Sequence, residues 1–266
     1  MNRHLKSLMI VAIAVTSIAS CKKDDTVEPI TESTCKISQV DYFYNGTQDG
    51  FIKFSYDNAG KITSYTDGTE SVPYTYTADK ISVNPKYDAY TVTLTNGRVT
   101  KQEYAAGTSI VNYSYNADGY LTQTQWYQNG ILMGTEVLKY TNNNLTSVVD
   151  TRANGVVITT TFEFSTETAA NNSLLVDPLG DVVNYDFPTN GYYGKLSNNL
   201  MTKSTKVSSS GATSTFSRAE TYTYTKDSSN KVSSKSTSSS SVTYINGVAG
   251  PTSTYTQKYN ITYDCK

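Results

Sequence analysis

Few side chains in this 266-residue chain are suited to nucleophilic or metal-assisted chemistry. There is one histidine, His4, and there are three cysteines, Cys21, Cys35 and Cys265. His4 lies in a segment that we expect to be removed, which leaves no histidine for Ser–His or Cys–His dyads or for histidine-based zinc sites. Carboxylate pairs of the kind that glycosidases use stay open, but no spacing singles one out. The sequence therefore predicts no enzymatic activity, no cofactor and no metal site.

Aromatic side chains are the more abundant candidates for binding. The chain contains 23 tyrosines and one tryptophan, and aromatic rings can stack on sugars or apolar peptide faces while their polar tips stay in water. Most of the tyrosines alternate along predicted strands and are expected in the core. The predicted ligand-binding residues are Trp126 and Tyr127, on a strand with a mixed face, and Tyr192 and Tyr193, in an irregular segment.

Two cysteines stand at the two ends of the predicted domain. Cys265 shares the parity of Ile261 and Tyr263 on the last strand, and Cys35 shares that of Ile37 on the first, so both sulfurs point with apolar side chains. An extracytoplasmic compartment permits disulfides. We predict a Cys35–Cys265 disulfide, which would bring the first and last strands together. The alternative is two small buried thiols.

A short unit of two aromatic residues, a turn and a return strand recurs along the chain. It is seen in 54–65, and related versions lie at 113–122 and 222–233. Side chains alternate along a strand, so Tyr-x-Tyr with Ser or Thr between places the rings on one face and the hydroxyls on the other. Asp57 and its equivalents are interpreted as turn formers. The alternative is a cation site, but the turn is too short for the twelve-residue calcium loop.

Asn-Gly or Asp-Gly pairs supply the positive φ that hairpin turns need. They occur at 45–46, 67–68, 96–97, 118–119, 129–130, 154–155 and 246–247. Short β-type segments lie between them, and none shows a sustained helical period. The sequence predicts an all-β fold, an antiparallel meander of about 14–16 short strands curled into a barrel-like or flattened-barrel sheet.

One segment of the chain does not follow the alternation of strands and turns. We predict a single β domain over residues 35–266 with an irregular insertion at 165–204. Long irregular segments in a compact β domain are often functional. The simpler interpretation is a packed cap over one end of the sheet.

The N-terminus has the character of a targeting segment. Residues 1–20 combine a basic start with a short apolar run, which is typical of a secretory signal peptide and too short to span a bilayer. Ile18-Ala-Ser-Cys21 resembles a bacterial lipobox, which implies cleavage before Cys21 and acylation of that cysteine, hence a membrane anchor. Residues 21–34 are predicted to be a flexible tether. Within it, Lys22–Asp25 resembles the signal that exports Bacteroides-type lipoproteins to the cell surface.

The repeated unit also resembles a known family. Tyr-x-Tyr-Asp-x-x-Gly-Lys-Ile-Thr is similar to Rhs-type (YD) repeats. Together with the lipobox and the run Tyr193–Leu200, the chain resembles, over residues 35–265, a Bacteroides-type surface lipoprotein family with a domain of unknown function and a porin-like fold. The resemblance implies a curled, barrel-like antiparallel sheet, and it carries no known activity or catalytic residues.

These features rank the functions that the sequence supports. The net charge is −1 for the full chain and becomes about −3 without residues 1–20, which, with no basic stripe, argues against a nucleic acid partner. A hydroxyl face belongs in water and not in lipid, so the domain is expected outside the bilayer. We predict an outer-membrane lipoprotein facing the cell exterior, or alternatively the periplasm, that acts as a non-catalytic binding module for a glycan or another extracellular ligand. The alternative function is a structural or assembly component that pairs with another surface protein.

Overall fold

The structure, a computed structural model, describes residues 35–85, 89–104, 107–169, 173–183, 191–210 and 214–265. The predicted signal peptide, the tether and the lipidation site Cys21 lie outside the described residues. Within the described residues there is no helix long and apolar enough to cross a membrane.

Short extended segments alternate with tight turns, as the sequence predicts. The strands are β1 (Cys35–Tyr44), β2 (Thr47–Tyr56), β3 (Ile62–Thr66), β4 (Ser71–Tyr76), β5 (Lys80–Val83), β6 (Tyr90–Thr95), β7 (Arg98–Tyr104), β8 (Ser109–Tyr115), β9 (Leu121–Gln128), β10 (Ile131–Thr141), β11 (Asn144–Arg152), β12 (Val157–Thr168), β13 (Asn199–Ser210), β14 (Ser214–Lys226), β15 (Val232–Ile245), β16 (Val248–Ala249) and β17 (Ser253–Cys265). A 3-10 helix at Pro178–Asp181 lies between β12 and β13.

The strands form one antiparallel meander that closes on itself. Each strand pairs with the next along the chain, except that β15 pairs with β17 across the two-residue β16. Pairing of β1 with both β2 and β17 closes the sheet into a barrel of 16 strands. The predicted all-β meander is confirmed, and the barrel is closed.

The Cys35–Cys265 disulfide marks one end of this barrel. The two cysteines are register partners of β1 and β17 and are bonded with Cα atoms 3.9 Å apart, which confirms the predicted pairing. We name the barrel end that carries this bond the closed end, and the opposite end, where β9 turns into β10 at Asn129–Gly130, the open end.

The two faces of the sheet divide as the alternation predicts. In Tyr113-Ser114-Tyr115 the first ring is buried and the hydroxyl beside it is exposed. Tyr222 and Thr223 repeat this arrangement. The rings therefore line the inside of the barrel, and Ser and Thr dominate its outer wall.

The second tyrosine of the unit also forms a recurrent hydrogen bond across the sheet. Tyr56 donates to the Ile37 carbonyl at 2.5 Å, Tyr115 to the Val99 carbonyl at 2.7 Å and Tyr224 to the Met201 carbonyl at 2.8 Å. Each tyrosine thus fixes a strand and satisfies its own hydroxyl inside an apolar wall.

The turn residues adopt the backbone geometry that their types favour. Asn45 and Gly46 both have positive φ, as a two-residue hairpin turn of type I′ requires. In the Tyr-x-Tyr-Asp unit, Asp57 Oδ1 accepts the backbone N–H of Lys61 at 2.8 Å. Asn116 and Asp227 close their turns in the same way, so these side chains act as turn formers.

The described parts of the irregular segment pack against the inner wall of the barrel and against the hairpin turns of its closed end. Residues 165–168 and 199–204, which the sequence assigned to the insertion, belong to β12 and β13. The described parts of the remainder, 173–183 and 191–198, are named the plug. Their apolar side chains join the same core cluster as the wall residues, among them Leu174, Val176, Leu179, Val183 and Tyr193. A barrel of 16 strands encloses more space than wall side chains can fill, and the plug occupies part of it.

Candidate functional site

A cavity of about 580 Å³ opens at the open end of the barrel and is named the chamber. This volume falls in the range of about 300–1,000 Å³ that is typical of small-molecule sites. Its lining comes from β7 to β11 and from one plug residue: Gln102, Tyr104, Val111, Tyr113, Thr124, Trp126, Gly134, Glu136, Asp150, Arg152 and Val182. The plug closes the chamber from below because Val182 forms part of its floor.

Trp126 is the most exposed aromatic ring of the chamber lining, with 43% of its surface accessible. A register shift where Tyr115 pairs with Leu121 places a β-bulge at the start of β9. The bulge changes which parity faces inward along the rest of the strand, so Thr124 and Trp126 both face the chamber. Trp126 Nε1 donates to Ser109 Oγ at 3.1 Å, which holds the indole while leaving its ring open.

Two carboxylates and one guanidinium stand near the indole. Glu136 on β10 and Asp150 on β11 are direct register partners. Arg152 Nε donates to Asp150 Oδ2 at 2.9 Å, and the Thr124 hydroxyl donates to Glu136 Oε2 at 2.6 Å. Burial is the main reason why the pKa of Glu136 is raised, with a further contribution from the charge of Asp150. The chamber therefore offers several fixed hydrogen-bonding groups beside an open aromatic ring.

The plug is held in place by backbone contacts with the hairpin turns of the closed end. Val99 N donates to Tyr192 O at 2.8 Å, and Lys195 N donates to Gly119 O at 3.0 Å. Inside the plug, Asp177 accepts the N–H groups of Leu179 at 2.8 Å and Ser197 at 2.6 Å. The floor of the chamber is thus built into the sheet.

A buried lysine adds a charged contact to the plug. Lys235 on β15 donates to the Leu175 carbonyl at 3.1 Å. Burial lowers the pKa of Lys235, although the charge of Asp181 acts in the opposite direction. Desolvation of the Asp181 carboxyl by the surrounding protein raises its pKa.

A second group of charged side chains lies on the inner wall formed by β13 and β14. Lys206 and Arg218 are direct register partners. Glu220 accepts the hydroxyls of Tyr222 at 2.7 Å and Tyr255 at 3.0 Å. Desolvation raises the pKa of Glu220, but these hydrogen bonds and the charge of Arg218 outweigh it, so that its pKa lies below the ordinary value.

The structure separates the four aromatic residues predicted to bind ligand. Trp126 lines the chamber. Tyr127, on the opposite face of the same strand, pairs with Leu132 on the outer wall. Tyr193 is only 2% exposed and packs against Tyr113 with ring centroids 5.4 Å apart, and Tyr192 contacts the closed end. Ligand binding by these four residues stays a prediction, and only Trp126 is placed where a ligand can reach it through the chamber.

The polar residues of the chamber were not singled out from the sequence. The sequence does contain an indication of them. Glu136 has the same strand parity as Leu138, and Asp150 has the same strand parity as Val148; Leu138 and Val148 are both buried. A charged side chain in the parity of the core indicates an interior site. The signal is weak in a sequence where bulges shift the parity within a strand.

This geometry defines a class of protein, a closed antiparallel β-barrel with an internal plug and an open chamber that is lined in part by aromatic rings. The chain belongs to the family described as "Domain of unknown function (DUF4595) with porin-like fold", whose model matches residues 54–234. The resemblance of its hairpin unit to Rhs-type repeats stays a prediction.

Two solved structures show the same fold. A porin-like protein from Bacteroides uniformis is 20% identical, with a TM-score of 0.60 over 85% of this chain and 98% of that one. A porin-like protein from Bacteroides vulgatus is 16% identical, with a TM-score of 0.56 over 86% of this chain and 98% of that one. No curated protein matches the chain.

Proposed function

We propose that this protein is a surface-anchored, non-catalytic binding module whose chamber takes a glycan. The observation that carries the proposal is an open indole, Trp126, set among Gln102, Glu136, Asp150 and Arg152 in one concave site. Sugars present apolar C–H faces that stack on aromatic rings, and hydroxyls that bind to carboxylates, amides and guanidinium groups. A site of this composition fits such a ligand better than a purely apolar one.

The outer wall supports a position in water for the domain. On β15 and β17 the exposed positions are mostly Ser, Thr and Lys, whereas a spanning barrel needs an outward apolar band. In this proposal the acyl chains on Cys21 attach the protein to the membrane. A Cys21→Ala variant should leave the membrane fraction, and the wild-type protein should be cut by protease added to intact cells.

The fluorescence of Trp126, the single tryptophan of the chain, provides a direct test of ligand binding in the chamber. Glycans identified on an array are titrated into the protein while the fluorescence of Trp126 and the heat of binding are recorded. We expect the indole emission to change on binding, and we expect Trp126→Ala to weaken the affinity at least about fivefold, by analogy with the roughly 1–3 kcal/mol that a nucleic acid base gains by stacking on an aromatic side chain.

Tyr127→Ala is the matched control, because Tyr127 is the next residue on β9 and faces the outer wall. It should bind the glycan as the wild type does. Equal losses in the two variants, or no binding to any glycan, would contradict the proposal. Because Glu136 and Asp150 are a pair of carboxylates, new reducing ends are also measured in the same samples. The appearance of new reducing ends would show glycan hydrolysis and contradict the proposal that the module is non-catalytic.

The alternative, an assembly component, is favoured by a different observation. Ile110, Tyr127 and Leu132 are register neighbours on the outer wall, and Leu132 is exposed. Such a row is typical of a contact with another protein. If a neighbouring surface protein co-purifies with the wild type and with Trp126→Ala but not with Tyr127→Ala, this second function is supported.

A further inference from the structure

Two neighbouring cations on the inner wall of the barrel, Lys206 and Arg218, have hydrogen-bonding groups that the surrounding side chains leave unused. The Lys206 side chain forms no hydrogen bond or ion pair with any of the residues that the structure describes. Arg218 stands directly opposite it, and its Nε is buried without a hydrogen-bond partner. Like charges at directly opposed strand positions destabilise a sheet. An acceptor between them would relieve both the repulsion and the unsatisfied donor.

The nearest carboxylate does not fill that role. Glu220 is 4.0 Å from Arg218 Nη1 at its closest oxygen, and its two oxygens accept the hydroxyls of Tyr222 and Tyr255. The guanidinium instead lies over the rings of Phe216 and Tyr255, 5.5 and 5.7 Å from their centroids. Arg218 is thereby held in a fixed orientation with hydrogen-bonding capacity to spare.

These two cations belong to the same interior as the chamber. The positive charge of Lys206 acts on Glu136, a chamber-lining residue of β10, and on Asp181, the neighbour of the floor residue Val182. Counted through the register, Lys206 lies across β12 from β11, which carries Asp150 and Arg152. A ligand stacked on Trp126 and extending inward would meet the Lys206 side of the barrel.

We propose that the chamber selects glycans that carry a carboxylate or sulfate group, and that Lys206 and Arg218 bind this group. The inference rests on the proposed function and names its substrate class. Guanidinium and ammonium groups bind carboxylates and sulfates through charge-assisted hydrogen bonds, which are about twice as strong as neutral ones. The aromatic and carboxylate side of the chamber then contacts the neutral part of the sugar.

The test compares glycans that differ only in the acidic group. Binding is measured by calorimetry for sialyllactose against lactose, oligogalacturonate against its methyl ester, and sulfated against desulfated chondroitin. At least one acidic member should bind roughly tenfold tighter than its neutral partner, as expected for one charged hydrogen bond, and its affinity should fall as NaCl rises from 50 to 200 mM. The pair that responds distinguishes a carboxylate from a sulfate.

Charge variants on β13 locate the effect. Lys206→Gln should remove most of the preference for the acidic member, and Lys206→Glu should abolish it, with the neutral partner bound as before. Lys203→Gln is the matched control, because Lys203 lies on the same strand but pairs with the exposed Glu163 on the outer wall. Thermal unfolding of each variant establishes that the barrel is intact.

The outcomes separate this inference from the function on which it rests. Glycan binding that quenches or shifts Trp126 fluorescence, without preference for acidic members or without sensitivity to Lys206, overturns the acidic-group assignment and leaves the binding module standing. Absence of any glycan binding contradicts both. A salt-sensitive preference that Lys203→Gln removes as strongly as Lys206→Gln also overturns the assignment.

Discussion

The interior of this barrel satisfies a buried carboxylate with tyrosine hydroxyls. Glu220 accepts hydrogen bonds from Tyr222 and Tyr255, with the Ser204 hydroxyl 3.4 Å from the same oxygen that Tyr222 contacts. Hydrogen bonds to the charged form favour that form and lower its pKa. Because the pKa of Glu220 in the folded protein is below its ordinary value, ionisation of this residue and folding support each other.

Glu220→Gln is expected to destabilise the protein in a pH-dependent way. The contribution of Glu220 is complete above the unfolded pKa of about 4.3 and is lost as pH falls through the lower folded value. The variant should lose about 1–2 kcal/mol of unfolding free energy at pH 7, because one charged acceptor becomes neutral. The difference from the wild type should shrink at pH 3. Urea unfolding at pH 7, 5 and 3 measures it.

Glu163→Gln controls for the loss of a carboxylate as such. Glu163 is exposed and its carboxylate pairs with Lys203 at the surface, where ion pairs contribute little. Its substitution should change the unfolding free energy by less than about 0.5 kcal/mol at every pH. A loss in Glu220→Gln that is the same at pH 3 and pH 7 would contradict the pKa argument.

At the scale of elements, the hairpins were predictable and the plug was not. Ring and hydroxyl alternation in units such as 54–65 and 113–122 predicts strands and the buried face, because both follow from neighbouring residues. The position at which residues 173–183 pack depends on the volume that the closed barrel encloses. That space is set by strand number and stagger, which are long-range properties. From its sequence alone, an irregular segment with apolar residues is therefore equally consistent with a cap and with a plug.

Gly180 tests how tightly the plug fits. A Cβ at this position would overlap the carbonyl oxygen of Leu174, and neither backbone segment can move aside easily. Gly180→Ala is expected to lower the unfolding free energy by about 3 kcal/mol, as overpacking a filled core does. Urea unfolding provides the measurement, and Trp126 emission reports whether the floor of the chamber has moved.

Gly50→Ala is the matched control on β2. A Cβ there meets nothing within 4 Å, so the substitution should change stability by less than about 0.5 kcal/mol. If Gly180→Ala were as harmless as Gly50→Ala, the plug would have to be loosely packed, and the chamber would lack a fixed floor.

At the scale of the whole molecule, the proximity of the first and last strands could be predicted from two residues. The parity of Cys35 and Cys265 indicates that the chain ends face the same apolar side, and a bond between them requires adjacent first and last strands. The candidate site could be predicted only in part. Trp126 was found by its residue type, whereas Glu136, Asp150 and Arg152 line the same chamber only because strands β7 to β11 curl around a common interior.

The disulfide should contribute to stability without being required for the fold. It joins residues 230 positions apart, and the chain-entropy model gives such a crosslink about 5 kcal/mol. The double variant Cys35→Ser/Cys265→Ser should therefore melt about 10–20 °C lower than the wild type. Its circular dichroism spectrum at 20 °C should stay that of a β protein, since β1 and β17 remain paired from Cys35 to Tyr44.

Reductant distinguishes the crosslink from other effects of the two substitutions. The melting temperature of the wild type should fall toward that of the variant when the disulfide is reduced, and the variant should not respond. Lys231 Nζ lies 2.8 Å from Cys35 Sγ and helps to cover this end of the barrel, so the reductant has restricted access to the disulfide. Thiol titration must therefore show that both cysteines are reduced. An unchanged melting temperature after full reduction would mean that the strand pairing alone closes the barrel, and that the unfolded chain gains little freedom when the bond is lost.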